Sequence, residues 1–93
     1  MDPPVYGRGA NGQLWEIEKD LFKLVERCKG LLSSTPLFFL INAYANSFSA
    51  IALENILKII LNSEFKSIES GEVGLKATST NLVLPCGMFS RAE

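Results

Sequence analysis

The residues best suited to chemistry lie in the run Asp-Pro-Pro-Val-Tyr-Gly-Arg-Gly, which occupies residues 2–9. Asp2 offers a carboxylate, while Pro3 and Pro4 fix φ and lack an N–H donor, which predicts a stiff extended arm with free carbonyl acceptors. Tyr6 adds an aromatic ring that can stack on a flat group. Such an arm suits the recognition of a planar ligand that carries an amino group. The alternative is a tail whose residues only make turns.

Glycines follow the arm at positions 7, 9 and 12. Glycine adopts positive φ readily and lets a ligand or another backbone come close. Arg8 lies between the first two glycines and is a candidate contact for phosphate, although a lone arginine in a loop is more often simply solvated. We predict that residues 1–13 form an irregular loop, neither helix nor strand.

The composition argues against several classes of function. The chain has 93 residues and a net charge of −1, which gives no general attraction to phosphate and argues against a free-standing nucleic-acid binder. It has no histidine, the commonest general base and metal ligand. Cys28 and Cys86 lack metal-ligand spacing and are predicted to be reduced core thiols in a cytoplasmic protein. The apolar runs are too short to cross a membrane. We expect one small domain with no metal site.

A long amphipathic segment follows the loop and is predicted to be a helix over residues 14–33. Its apolar residues recur three and four apart along one stripe: Leu14, Ile17, Leu21, Leu24, Val25, Cys28, Leu31 and Leu32. Trp15 falls off this stripe. We favour its packing on the rim of the core, but its position beside the glycines also makes it a candidate wall of a substrate pocket.

Residues 37–42 form an unbroken apolar run, which is typical of a parallel strand buried on both faces. In open α/β sheets, ligands bind at the carboxyl ends of such strands. Asn42 and Tyr44 therefore either face the same pocket as the arm or only satisfy the turn, while for Asn46 we favour the turn.

The remaining elements are predicted from local patterns. A second helix spans residues 49–61, with Ser47 or Ser49 as its cap and with Ile51 and Ile59 widening its buried face. Alternating residues then predict an antiparallel hairpin with strands at residues 67–77 and 82–90. The fold class is α/β, with the order helix, strand, helix and hairpin.

The motif and its surroundings resemble a known family. Asp-Pro-Pro-x-Tyr-Gly-Arg-Gly, followed by Asn-Gly-Gln-Leu-Trp and a long amphipathic helix, resembles the C-terminal third of class I S-adenosylmethionine-dependent methyltransferases, closest to the ribosomal-RNA methyltransferase-like proteins with an Asp-Pro-Pro-x-Phe/Tyr motif. The closing Leu-Pro-Cys-Gly-Met-Phe, residues 84–89, also resembles the family's last strand. The resemblance implies a partial Rossmann-like methyltransferase sheet with a reversed final strand.

The resemblance also implies roles for particular residues. The Asp2 carboxylate and the Pro3 carbonyl would accept hydrogen bonds from an exocyclic amine, and Tyr6 would stack on the base. Neither cysteine is placed to act as the nucleophile of family members that methylate pyrimidine carbon. Val5 separates the second proline from the tyrosine, so the methylated atom stays open. The predicted substrate-binding residues are Arg8, Trp15, Asn42 and Tyr44.

The family's glycine-rich cofactor loop has no counterpart in these residues. The chain therefore looks like the C-terminal portion of an enzyme that binds S-adenosylmethionine only in its full-length form, with the N-terminal half as its missing partner and RNA as its substrate. The alternative is a non-catalytic small α/β interaction domain that homodimerises. In either case we expect a homodimer through the edge of strand 37–42 or through a bare sheet face, because an unpaired apolar strand is prone to association.

Overall fold

The computed structural model of the chain describes residues 1–45 and 47–93. The turn role expected of Asn46 lies outside those residues. A two-stranded sheet has the order β1-β2 and a three-stranded sheet the order β3-β5-β4. This mixed architecture confirms the predicted α/β class. The elements in chain order are β1 Tyr6–Arg8, β2 Leu14–Glu16, α1 Ile17–Lys29, β3 Phe39–Ala43, α2 Ala50–Leu61, β4 Ile68–Lys76 and β5 Val83–Ala92.

The prediction of an irregular loop over residues 1–13 was wrong. β1 pairs with β2 in an antiparallel hairpin. Its turn is closed by hydrogen bonds from the Gly9 N–H to the Gln13 carbonyl at 2.8 Å and from the Gly12 N–H to the Gly9 carbonyl at 3.0 Å. Gly12 has a φ of +79°, which favours glycine. Strands of three residues are too short for an alternating pattern to reveal them.

α1 begins at Ile17 and not at Leu14, because Leu14–Glu16 is used by β2. Glu16 is extended, and its N–H donates to the Asp20 carboxylate at 2.9 Å, which ties the first turn together. The helix ends at Lys29, so Leu31 lies beyond it and is exposed. The fully buried positions of α1 are Ile17, Leu21 and Val25.

α2 is capped by Ser49, whose hydroxyl accepts a hydrogen bond from the Ala52 N–H at 3.1 Å. Ser49 was one of the two predicted caps. Its buried side chains are Leu53, Leu57, Ile60 and Leu61. Ile51 and Ile59 were expected to widen this buried face, but they are 69% and 71% exposed. They were misassigned because an almost wholly apolar helix does not reveal which of its sides meets the sheet.

β5 is the central strand of the larger sheet and is antiparallel to both neighbours. It extends to Ala92, two residues beyond the predicted end of the hairpin strand at residue 90. Ile41, Ser90 and Ser70 lie opposite one another and share one face of the sheet. Ser70 donates to the Glu54 carboxylate of α2 at 2.5 Å, which identifies this face as the one that α2 covers.

β3 differs from the predicted strand in direction and burial. It pairs antiparallel with β5, and Leu37 and Phe38 lie before it, 86% and 58% exposed. The prediction of a parallel strand buried on both faces was therefore wrong within this chain. Along its outer edge the only described partner is Met1, which donates to the Leu40 carbonyl and accepts from the Asn42 N–H at 3.0 Å. These two bonds flank Ile41 in the pattern of a parallel bridge.

Candidate functional site

The Asp-Pro-Pro arm, residues 2–5, is held at both ends. Before it, Met1 is hydrogen-bonded to the outer edge of β3. At its other end, the Val5 carbonyl accepts from the N–H of Ile17, the first residue of α1, at 3.0 Å. Because Met1 runs in the direction of β3, the arm leaves the sheet towards the carboxyl end of that strand. In α/β sheets whose strands are mostly parallel, ligands bind at the carboxyl ends of the strands.

Trp15 holds the middle of the arm. Its indole Nε1–H donates to the Pro4 carbonyl at 2.6 Å, and its ring is half-buried against the core. The arm was expected to present free carbonyl acceptors, but the carbonyls of Pro4 and Val5 are both occupied. Within residues 1–45 and 47–93, the Asp2 carboxylate and the Pro3 carbonyl accept no hydrogen bond. They are the acceptors of the arm that no described donor occupies, and of the two residues Asp2 is exposed to solvent while Pro3 is buried.

A cleft of about 350 Å³ lies beside the arm. Asp2 is exposed at the cleft, whereas Pro3 is buried. The floor is apolar, because it is formed largely by the prolines together with Trp15 and Leu24. An exposed carboxylate above an apolar floor can orient a flat group that carries an N–H donor.

A larger cavity of about 650 Å³ lies at the carboxyl end of β3. Tyr44 lines it together with Phe48 and Met88, and Glu72 adds one carboxylate. Gly87 also lines it and has a φ of +124°, which few residues other than glycine adopt. Apart from Tyr44, these residues were missed by the sequence analysis. The available signal was a glycine inside a strand, which often marks a close approach of other groups.

The other predicted site residues lie elsewhere. Tyr6 and Arg8 are exposed on the short strand β1. Asn42 lies within β3, opposite Phe89, on the face of the sheet that points away from α2. These three residues line neither cavity. The structure therefore gathers three predicted residues around the cleft beside the arm: Asp2, Pro3 and Trp15.

Ion pairs in the scaffold join elements that support the site. Lys29 of α1 contacts the Glu64 carboxylate at 3.0 Å and donates to the Ile60 carbonyl of α2 at 2.7 Å. The hydrogen bond from Lys29 lowers the pKa of Glu64 below its ordinary value. The pKa of Glu54 is also lowered, first by its hydrogen bond from Lys58. The hydrogen bond from Lys29 to Ile60 ties α1 to α2. The Glu54–Lys58 pair lies within α2, and the hydrogen bond from Ser70 to Glu54 ties that helix to the sheet.

One of the two cysteines, Cys86, lines the larger cavity. Among the residues that the structure describes, no three side chains of the metal-binding types lie close together. Cys28 and Cys86 are free and half-buried, on α1 and β5 respectively. In the same part of the chain, every helix is too short or too polar to cross a lipid bilayer.

The Gly7-Arg8-Gly9 segment does not have the geometry of a nucleotide-binding loop. Such a loop joins a parallel strand to the N-terminus of a helix. Here the glycines lie in the β1–β2 hairpin, and β2 separates them from α1.

Comparison with known proteins relates this fold to solved structures. No protein-family model matches the sequence, and no curated protein matches it. A solved structure does match: the S-adenosylmethionine-dependent methyltransferase from Agrobacterium tumefaciens, with a TM-score of 0.91 and 27% sequence identity. The chain has a methyltransferase-like fold. The match covers 99% of this chain but only 31% of that methyltransferase.

This relationship supports the predicted resemblance at the level of a methyltransferase. Because the match covers 99% of the chain, it takes in nearly all of the arm, the cleft and the larger cavity. The neighbour is dependent on S-adenosylmethionine. It is about three times as long as the region that this chain matches.

Proposed function

We propose that this chain is the substrate-side, C-terminal portion of an S-adenosylmethionine-dependent methyltransferase that acts on RNA. The TM-score of 0.91 to a methyltransferase supports the methyltransferase part, and the share of 31% that the chain covers in that neighbour supports the proposal that it is a portion of a longer enzyme. The observation that carries the substrate side is the arm, where the Asp2 carboxylate and the Pro3 carbonyl are left open while the neighbouring carbonyls are occupied.

The arm is suited to hold an amine in a fixed direction. S-adenosylmethionine supplies an activated methyl group, and the main task left to the protein is alignment of the acceptor. An exocyclic amine offers two N–H donors, one for the Asp2 carboxylate and one for the Pro3 carbonyl. These two hydrogen bonds fix the plane of the amine and therefore the direction of its lone pair.

Tyr6 stays the predicted aromatic platform for the base, and Tyr44 is a second candidate, although neither of them lines the cleft beside the arm. Tyr44 lines the cavity at the carboxyl end of β3, whereas Tyr6 lies on β1 and lines neither cavity. Aromatic rings stack on any nucleobase with little dependence on sequence. Arg8 and Asn42 stay predicted substrate contacts, and Arg8 is the one suited to a phosphate.

The cofactor and the missing half belong to the complete protein. The hydrogen bonds of Met1 on either side of Ile41 follow a parallel pattern. A strand that leads into the arm would therefore continue along the outer edge of β3. We infer that the N-terminal half supplies this strand and the loop that holds S-adenosylmethionine.

The experiment that tests this function follows a labelled methyl group. The full-length protein is incubated with methyl-labelled S-adenosylmethionine and, separately, with RNA, with single-stranded DNA of the same sequence and with free nucleosides. We expect label in RNA, and loss of that label with Asp2→Ala. Labelling of another acceptor alone would overturn the RNA assignment. A full-length protein that does not bind the cofactor would overturn the methyltransferase assignment.

A second candidate is a small interaction domain that homodimerises. The observation in its favour is the exposed apolar pair Leu37 and Phe38, which lies next to the outer edge of β3. The labelled-methyl experiment separates this candidate from the first, because both predict a homodimer of the isolated chain but only the first predicts methyl transfer by the full-length protein.

A further inference from the structure

Met1, directly before the Asp-Pro-Pro arm, is bonded through its amino group as well as its carbonyl. Within the described residues the arm itself is anchored only through its carbonyl oxygens. Two of its four residues are prolines, which have no N–H to donate. The anchoring acceptors are the carbonyls of Met1, Pro4 and Val5. Two of their donors are backbone N–H groups. The third donor is the indole of Trp15, at 2.6 Å from the Pro4 oxygen. Trp15 is thus the one side chain that holds the arm by a hydrogen bond within the described residues.

We propose that Trp15 is a positioning residue, which orients the Asp2 carboxylate and the Pro3 carbonyl towards the amine of the substrate. This inference rests on the proposed methyltransferase function. Since φ is fixed at both prolines, an anchor on the Pro4 carbonyl also restricts the direction of the Pro3 carbonyl one residue earlier.

The ring of Trp15 is itself held in place. β2 pairs with β1 on either side of it, with Trp15 opposite Gly7. The ring is half-buried and packs against the core that α1 shares with α2. It also forms part of the floor of the cleft beside the arm. A donor on a rigid support transmits its position to the acceptor better than one on a mobile chain.

The first test removes the donor and keeps an aromatic ring. In the full-length protein, Trp15→Phe deletes the indole N–H, and we expect kcat for methyl transfer to fall on the order of tenfold to a hundredfold, since small displacements of aligned groups have effects of that size. The KM for S-adenosylmethionine should stay unchanged. Phe22→Leu is the matched control, because Phe22 is an aromatic residue of α1 that does not line the cleft beside the arm. The kcat of this variant should stay near that of the parent.

A second measurement reports on the arm without relying on activity. Amide hydrogen exchange in the full-length protein should become faster at Asn42 and Ile17 in Trp15→Phe, because these N–H groups bind the two ends of the arm. Exchange at Leu57, in the buried face of α2, should stay slow. If Leu57 also loses protection, the benzothienyl analogue of tryptophan replaces Trp15, since it has a sulfur in place of the N–H and keeps the ring shape.

The two measurements separate the anchoring of the arm by Trp15 from the effect of Trp15 on methyl transfer. Unchanged exchange at Asn42 and Ile17 would overturn the anchoring role of Trp15. Faster exchange with unchanged kcat would overturn its positioning role. A parent protein without methyl transfer would overturn the proposed function and with it the effect on kcat, while the exchange data still decide whether Trp15 anchors the arm.

Discussion

The ring of Tyr44 lies directly against Gly87, and a Cβ atom at Gly87 would be only 2.6 Å from Cδ1 of Tyr44 and 2.8 Å from the carbonyl oxygen of Ala43. Gly87 also has a φ of +124°. The strand β5 therefore requires glycine at this position for two reasons, the backbone angle and the space. This contact sets the position of Tyr44 at the mouth of the larger cavity.

Gly87→Ala is expected to destabilise the chain and to displace Tyr44. A residue held in a sparsely populated region of φ and ψ costs about 1–3 kcal/mol, and the contact with a backbone oxygen adds to this. Urea unfolding of the variant measures the loss. Gly7→Ala is the matched control, because no atom lies within 4 Å of a Cβ at Gly7. Equal stability of the two variants would contradict the close packing of Tyr44 on Gly87.

Asp2→Ala in the full-length protein should lower turnover far more than stability. Asp2 is exposed and lies on the arm, outside every helix and strand, so it supports little of the core. Turnover with the proposed RNA substrate and the melting temperature are measured side by side. Glu26→Ala serves as the control, since Glu26 is an exposed carboxylate on α1. A sharp fall in melting temperature with normal activity of the folded protein would make Asp2 a structural residue.

The isolated chain of 93 residues is expected to show no methyltransferase activity and no binding of S-adenosylmethionine. The reason is that the glycines of residues 7–12 lie in and after a hairpin strand, in a geometry unlike the strand–loop–helix cradle of a nucleotide. Titration calorimetry measures the binding, with the full-length protein as the positive control. Micromolar affinity of the isolated chain would refute the prediction.

Stability should fall on acidification through the pair Lys29–Glu64. The hydrogen bond of Lys29 lowers the folded-state pKa of Glu64 below the ordinary 4.5. The stabilisation is therefore fully present above the unfolded-state pKa and is lost as the pH falls through the folded-state value. Urea midpoints between neutral and strongly acidic pH should drop less for Glu64→Gln than for the parent. Identical pH dependence in the parent and in Glu64→Gln would show that the Lys29–Glu64 pair does not contribute to the loss of stability at acidic pH. Glu26→Gln is the control for removing one negative charge.

A homodimer remains our expectation for the isolated chain, with the outer edge of β3 or the bare face of the sheet at the interface. Leaving a few hundred Å² of apolar surface exposed to solvent costs several kcal/mol of free energy, at about 25 cal/mol per Å². Phe38→Lys should weaken the dimer at little cost to folding, because Phe38 is exposed. Phe39 is unsuitable for this test because it packs against the core. Sedimentation of a well-folded monomer at high micromolar concentration would rule out the dimer.

The sequence by itself determined the elements that depend on local pattern. α2 was predicted over residues 49–61 and spans Ala50–Leu61, because a serine cap and helical spacing are properties of neighbouring residues. The hairpin of β4 and β5 was predicted in the same way. The motif residues Asp2, Pro3 and Trp15 were also identified from the sequence, and the structure groups them around one cleft.

Only the tertiary structure decided how distant residues meet. Apolar spacing predicted that Leu14–Glu16 belongs to the first helix, but these residues form β2 and pair with β1. The pairing of the two strands outweighs the local helix propensity. The bond from Trp15 to Pro4 spans 11 residues, and Tyr44 meets Gly87 across two strands. Periodicity along a chain reports which face of an element is buried, but not which residue of another element lies opposite, because that depends on the packing of the whole fold.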